Sequence, residues 1–213
     1  MADRFPRLYL VTDLQATLGR PLLEVLADAL NGGVDAVQLR AKDFSGHDLV
    51  ALGAQIRTLC DRHNARLLVN DRIDIALAVR ADGVHLPANS FSPADARRLL
   101  GPDAWIGVST HTPAEARAAC AAGADFIVFG PVFDTPSKRA FGRPLGLDAL
   151  GSVTCVGATP VVAIGGITAA HVPVLREHGA RGVAVISAIL AAADPRDAAH
   201  ALITAWKQGG KQS

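Results

Sequence analysis

The sequence predicts a single α/β domain, a (β/α)8 TIM barrel. Three observations carry that expectation. Short apolar, β-branched runs alternate with Ala/Leu/Arg-rich segments of helical period, and eight such runs can be read along the chain. Runs such as Phe126-Ile127-Val128-Phe129 are apolar without polar alternation, as parallel strands covered on both faces are. The length, 213 residues, suits one barrel of the compact kind.

In chain order, the first strand is expected at Leu8–Thr12, and the first helix at Leu22–Leu30, closed by Asn31-Gly32-Gly33. A second strand at Ala36–Arg40 leads to a helix at His47–Arg62, and a third at Arg66–Asn70 to a short or irregular helix near Ile73–Val79. The fourth and fifth strands, Gly83–Leu86 and Trp105–Val108, flank a helix at Ala94–Leu100. A helix at Pro113–Ala122 stops at Gly123, just before the sixth strand, Phe126–Phe129. A long Gly/Pro-rich loop then runs to Gly146, followed by a short helix near Leu147–Leu150 and the seventh strand, Val161–Ile164. The helix Ala169–His178 ends at Gly179, the eighth strand is Gly182–Ile186, and a last helix covers Pro195–Lys207. Parallel neighbours need a crossover, which the helical segments supply. The rival is a Rossmann-like open sheet, but Val11-Thr12-Asp13 stands where Gly-x-Gly-x-x-Gly would follow the first strand. Residues 1–207 are therefore expected to form one domain, with the polar, Gly-rich Gln208–Ser213 as a flexible tail.

Half of the residues are hydrophobic and the formal net charge is +1. No broad field recruits nucleic acid or a membrane surface, so any anion site must be local. The N-terminal residues lack the apolar run of a signal peptide, and no stretch approaches the ~20 apolar residues that span a bilayer. Cys60, Cys120 and Cys155 are scattered, lack metal-ligand spacing and read as reduced thiols. These features predict a cytoplasmic protein with no nucleic-acid or membrane partner. They leave oligomeric state open, a homo-oligomer included.

Barrel active sites are built from the C-terminal strand ends and the loops after them. Gln38 and Arg40 alternate with Val37 and Leu39 and should point into the mouth. Arg40 and Lys42 place two cations there, either as a solvated cluster or as an anion site. Asp71 follows the apolar run Leu67-Leu68-Val69 as a magnesium ligand or, alternatively, a helix N-cap. Gly165-Gly166 after the seventh strand and Ile186-Ser187 at the end of the eighth have the placement of a barrel phosphate site, through backbone N–H groups and a short helix N-terminus. His85 and His111 have no carboxylate partner evident in sequence, and no Ser/His/Asp or Cys/His arrangement stands out. The chemistry reads as electrostatic.

Taken together, Tyr9-Leu10-Val11-Thr12-Asp13, Gln38-Leu39-Arg40-Ala41-Lys42, Val69-Asn70-Asp71, Gly83-Val84-His85-Leu86, Gly107-Val108-Ser109, Gly130-Pro131-Val132-Phe133-Asp134-Thr135-Pro136-Ser137-Lys138, Gly165-Gly166 and Ile186-Ser187 resemble thiamine phosphate synthase. The resemblance implies an Mg2+-dependent transferase that joins hydroxymethylpyrimidine pyrophosphate to hydroxyethylthiazole phosphate through a dissociative, carbocation-like step. It implies that Arg40, Lys42, Asn70 and Lys138 hold pyrophosphate, with Asp71 on the metal. Gln38 and Ser109 would line the pyrimidine and pyrophosphate pocket. Thr135, Ser137, Gly165, Gly166, Ile186 and Ser187 would hold the thiazole phosphate. In one place the sequence departs from the pattern: Ser90 stands where the synthases carry a second metal carboxylate. That segment is similar to a paralogous thiazole tautomerase, whose catalytic histidine after the sixth strand is, however, replaced here by Pro131. A tautomerase-like isomerase and a non-catalytic phosphate-binding paralogue are the alternatives.

Overall fold

A computed structural model describes residues 5–136, 139, 142–154 and 158–208. Eight parallel strands close in sequential order, β1 pairing with both β2 and β8. They are β1 Leu8–Val11, β2 Ala36–Leu39, β3 Arg66–Asn70, β4 Gly83–Leu86, β5 Trp105–Thr110, β6 Phe126–Phe129, β7 Val161–Ile164 and β8 Gly182–Val185. The helices outside them are α1 Leu22–Asn31, α2 Gly46–Arg62, α3 Ile73–Ala78, α4 Pro93–Leu100, α5 Pro113–Ala121, α6 Gly146–Thr154, α7 Val172–Glu177, α8 Ser187–Leu190 and α9 Pro195–Gln208. The expected TIM barrel is thus present. None of these helices is long and apolar enough to cross a membrane.

The period of two along each strand divides the core in two. Tyr9, Ala36, Leu68, Phe126, Val128, Val162 and Ala184 pack together inside the barrel. Their neighbours Leu10, Val37, Leu67, Ile127, Ala163 and Val183 belong to the larger cluster shared with the helices. Inside, the Phe126 ring meets Tyr9 edge-on at 5.9 Å and Trp105 at 6.4 Å. The register carries this inner face upward through Gln38↔Leu68, Asn70↔His85, His85↔Gly107 and Ser109↔Val128. Cys60 is buried and Cys120 half-buried, neither in a disulfide, and Cys155 lies outside the described residues.

At the opposite end, each of three aspartates sits just before an even-numbered strand and holds the strand before it. Asp35 accepts the N–H of Leu8 at 3.1 Å, Asp82 that of Leu67 at 2.8 Å and Asp125 that of Ile106 at 2.8 Å. Asp82 also binds Arg57 at 2.5 Å and Arg66 at 2.6 Å, and Asp125 binds Arg97 at 2.6 Å. The Arg57 and Arg66 guanidinium groups and the Leu67 N–H hold the Asp82 carboxyl below its usual range, although burial opposes them.

The differences from the sequence reading lie at element ends. The stretch expected as one helix over Ala169–His178 divides into a 3-10 turn, Ala169–His171, and α7. Pro173 explains the break: lacking an N–H, it fits a first helical turn and not an interior. α6 is longer than the expected Leu147–Leu150, and β5 continues to Thr110. Gln208 closes α9 and does not open a tail, while 209–213 fall outside the described residues.

Candidate active site

The C-terminal rim begins with a clasp between β1 and β2. Thr12 Oγ1 accepts the Arg40 N–H at 2.8 Å, and the hydroxyl lies 3.1 Å from the Arg40 carbonyl, to which it donates. The Arg40 guanidinium lies 3.9 Å from the Asp13 carboxylate. Asp13 is itself fixed by the N–H groups of Gln15 at 3.0 Å and Ala16 at 3.4 Å. The two cations that the sequence places here, as a solvated cluster or as an anion site, therefore differ, and Arg40 is not a bare cation. It has a carboxylate beside it, and Lys42 stands exposed in the following loop.

Asn70 ends β3 half-buried on the inner face. Asp71 follows in a left-handed conformation, φ 66°, which Asp tolerates better than most residues. The helix-cap alternative fails, because Arg72 occupies the N-cap of α3 and receives no side-chain cap. Pairing continues past β3, with the Asp71 N–H on the His85 carbonyl at 2.9 Å. This draws Asp71 toward the loop after β4, where the Ser90 hydroxyl donates to Asp71 Oδ1. Among the described residues, no three His, Cys, Asp or Glu side chains gather as a metal cage.

Beneath the rim lies a neutral, hydrogen-bonded floor. Gln38 Nε2 donates to Tyr9 Oη at 3.0 Å, and His85 Nε2 is 2.8 Å from Ser109 Oγ. Gln38 is buried, one layer below the open mouth in which the alternation pattern had placed it. Burial pushes the Tyr9 phenol up and His85 down to about 3, so both are uncharged at neutral pH.

The far side of the rim is made of backbone. The β6–α6 connection starts at a cis Gly130–Pro131 bond and lies against the end of β7: Val132 N–H meets the Ile164 carbonyl at 2.8 Å and Phe133 N–H the Gly165 carbonyl at 3.0 Å. Gly165 and Gly166 have φ of 102° and 64°, and a Cβ on Gly166 would stand 2.4 Å from the Asp134 carbonyl. Only glycine fits both requirements. Thr135 is half-buried in this connection, while Ser137 and Lys138 lie outside the described residues. Across β8, Ile186 precedes α8 and Ser187 is its exposed first residue. Arg20 fastens the other end of α8, donating to the Leu190 carbonyl at 2.6 Å. His111 is occupied with the Gly130 carbonyl, 2.6 Å from Nδ1.

The structure thus brings Arg40, Lys42, Asn70, Asp71, Ser90, Ser109, Thr135, Gly165, Gly166, Ile186 and Ser187 to one end of the barrel, with Gln38 just below. Sequence reasoning missed the partners Asp13, Tyr9 and His85. Asp13 carried a readable signal: Thr12-Asp13 is a polar strand end of the same kind as Asn70-Asp71.

Residues 8–189 match the family model described as thiamine monophosphate synthase. The chain belongs to that family. A protein of Geobacter sulfurreducens is 53% identical over 196 residues, 92% of either chain. A thiamine-phosphate synthase of Moorella thermoacetica is 44% identical over 195 residues, 92% of this chain and 93% of that one. Among solved structures, a thiamine phosphate pyrophosphorylase from Pyrococcus furiosus superposes with TM-score 0.88 at 34% identity, covering 98% of both chains. This chain is accordingly an enzyme of the transferase class, in a family of thiamine biosynthesis.

Proposed function

We propose that the enzyme joins hydroxymethylpyrimidine pyrophosphate to hydroxyethylthiazole phosphate, forming thiamine phosphate and pyrophosphate. The observation that carries this reading is the division of the rim. The guanidinium and carboxylates of β1–β3 lie on one side and the glycine backbone of β7–β8 on the other, above a floor that holds no charge. Such a mouth offers separate places for two anionic substrates. Of the two histidines weighed as bases, His85 is buried and neutral with a pKa of about 3, and His111 is held through Nδ1 against the Gly130 carbonyl.

The chain's own groups supply positioning and charge stabilisation. Arg40, with Lys42 and Lys138, meets the negative charge that grows on pyrophosphate as the bond to the pyrimidine methylene breaks. Asn70 fixes a phosphate oxygen. Gln38 and Ser109 orient the pyrimidine over the floor. The backbone of Gly165, Gly166 and Ile186, with Thr135, Ser137 and Ser187, seats the thiazole phosphate so that the ring nitrogen faces the methylene. Asp71 and Ser90 present one charged and one neutral oxygen side by side. That half-set suits Mg2+, which is commonly held by one or two carboxylates together with substrate phosphates and water. The ion, when bound, neutralises part of the pyrophosphate charge. A cytoplasmic setting belongs to the same reading.

The test is turnover of both substrates with Mg2+ by the wild type and by Arg40→Ala. Arg40→Ala should lower kcat by about 10²–10³-fold, the usual loss for one preorganised charge-stabilising donor, and change KM for the thiazole phosphate little. A folded wild type that forms no thiamine phosphate would overturn the proposal. Isomerisation of a thiazole carboxylate phosphate without pyrophosphate would point to the tautomerase-like alternative, and binding without either turnover to the non-catalytic one.

A further inference from the structure

His85 is a buried histidine for which the proposed chemistry gives no role. Its ring is sealed under the rim, 3% exposed, with the Tyr9 and Phe126 rings at centroid distances of 6.0 and 6.3 Å. Nε2 lies 2.8 Å from Ser109 Oγ, whereas Nδ1 is buried without a hydrogen-bond partner among the described residues. Gly107 lies between the two residues on the inner face. A Cβ there would come within 2.9 Å of Nδ1 and 2.3 Å of the Phe126 ring, so the absence of a side chain at Gly107 is what admits the imidazole.

Neutral imidazole carries its proton on one nitrogen only. On Nδ1 the proton would make a buried donor with no acceptor, one of the costlier defects of a folded protein. On Nε2 it is satisfied at once by Ser109 Oγ, and Nδ1 keeps a lone pair toward apolar surroundings. The hydrogen bond made by one ring nitrogen and the lack of any at the other together select the tautomer. A serine oxygen that accepts from Nε2–H retains its own proton for donation elsewhere. Ser109 is only partly covered, on the inner face at the end of β5, so the direction left open is the mouth.

We propose that His85 is a positioning residue: as the Nε2–H tautomer it donates to Ser109 Oγ, which turns the Ser109 hydroxyl into a hydrogen-bond donor aimed at the pyrimidine pyrophosphate. The kinetic half of this inference rests on the synthase reading; the tautomer does not.

Two measurements on the full-length protein separate them. The first is ¹⁵N NMR with ring-labelled histidine, the His85 signals being assigned by their loss in His85→Gln. Nε2 should be protonated and Nδ1 bare, and a protonated Nδ1 would overturn the inference whatever the activity. The second is a double-mutant cycle of His85→Phe and Ser109→Ala, read as kcat and KM at saturating Mg2+. His85→Phe should lower kcat about tenfold, the scale of one hydrogen bond, with KM for the thiazole phosphate within about twofold. Ser109→Ala should add little when combined with His85→Phe, and His85→Gln, whose amide N–H can donate in the same direction, should recover most of the rate. Additive losses would show that His85 acts independently of Ser109 and would refute the proposal. Should His85→Phe fail to fold, the tautomer and His85→Gln decide. A wild type without synthase activity that nonetheless shows the Nε2–H tautomer would remove the function and leave the assignment.

Discussion

Replacing Ser90 by Asp tests the metal half of the rim without any substrate. The Ser90 hydroxyl donates to Asp71 Oδ1, and both residues are half-buried. An aspartate there sets a second carboxylate about 4 Å from the first, where two like charges repel by about 4 kcal/mol at an effective dielectric of about 20. Solvent at the rim screens this to roughly 1–2 kcal/mol, and the lost hydroxyl donor adds about 1 kcal/mol. A total of about 2–3 kcal/mol, at about 2–4 °C per kcal/mol for a domain of this size, lowers the melting temperature by roughly 4–12 °C in chelator. Magnesium reverses the sign. An ion that binds the folded pair alone stabilises by RT ln(1 + [L]/Kd), about 2.7 kcal/mol at a hundredfold excess over Kd. Calorimetric melting of wild type and Ser90→Asp across a Mg2+ titration should show a variant that is less stable without the ion and more responsive to it. Identical magnesium dependence in the two proteins would refute the pairing of Asp71 and Ser90 as a metal half-set.

Three further outcomes are expected. Gly166→Ala combines left-handed strain of about 1–2 kcal/mol with a Cβ 2.4 Å from the Asp134 carbonyl; it should raise KM for the thiazole phosphate by at least about tenfold, for a shift of about 1.4 kcal/mol, while KM for the pyrimidine substrate holds. Asp82→Ala removes the 2.5 Å partner of Arg57 and the acceptor of the Leu67 N–H while the Arg57–Asp61 pair at 2.7 Å remains, and should cost about 2 kcal/mol in urea unfolding at pH 7. Acid stability should depend on His85. Its pKa of about 3 lies below the ordinary value of 6.5, so the folded state binds fewer protons across that window and its contribution is lost as pH falls. Asp35, raised to about 6 by burial, works in the opposite direction over part of the same range. Unfolding at pH 7 and 4.5 should therefore show a smaller loss for His85→Phe than for wild type, and equal losses would contradict the buried neutral ring.

Much of the barrel was legible because both faces of its strands are covered. Phe126-Ile127-Val128-Phe129 needs no context to read as a buried strand, and β6 occupies those four residues. α8 was not placed because four residues show no helical period, and Pro173 divides a stretch whose apolar spacing alone suggests one helix. At the site, polar residues at strand ends announced themselves one by one, and Asp71 and Arg40 stand at the rim as expected. Their partners did not, since Arg40 meets Asp13, and Ser109 meets His85, only when neighbouring strands align. Gln38 was readable as inward-facing, but its depth depends on Tyr9 reaching up from the neighbouring strand.

The aspartates at the far end of the barrel have a consequence for how freely this enzyme can change. Asp35, Asp82 and Asp125 secure β1, β3 and β5 from below, whereas Arg181 holds the corresponding place before β8. Stitching and chemistry are therefore at opposite poles of one cylinder. Loops at the working pole can lengthen, shorten or exchange side chains while strand alignment is kept from beneath, which suits the scaffold to acquiring new substrates. The β7–β8 seam, with an arginine in place of the carboxylate stitch, is where altered loops would first disturb the alignment.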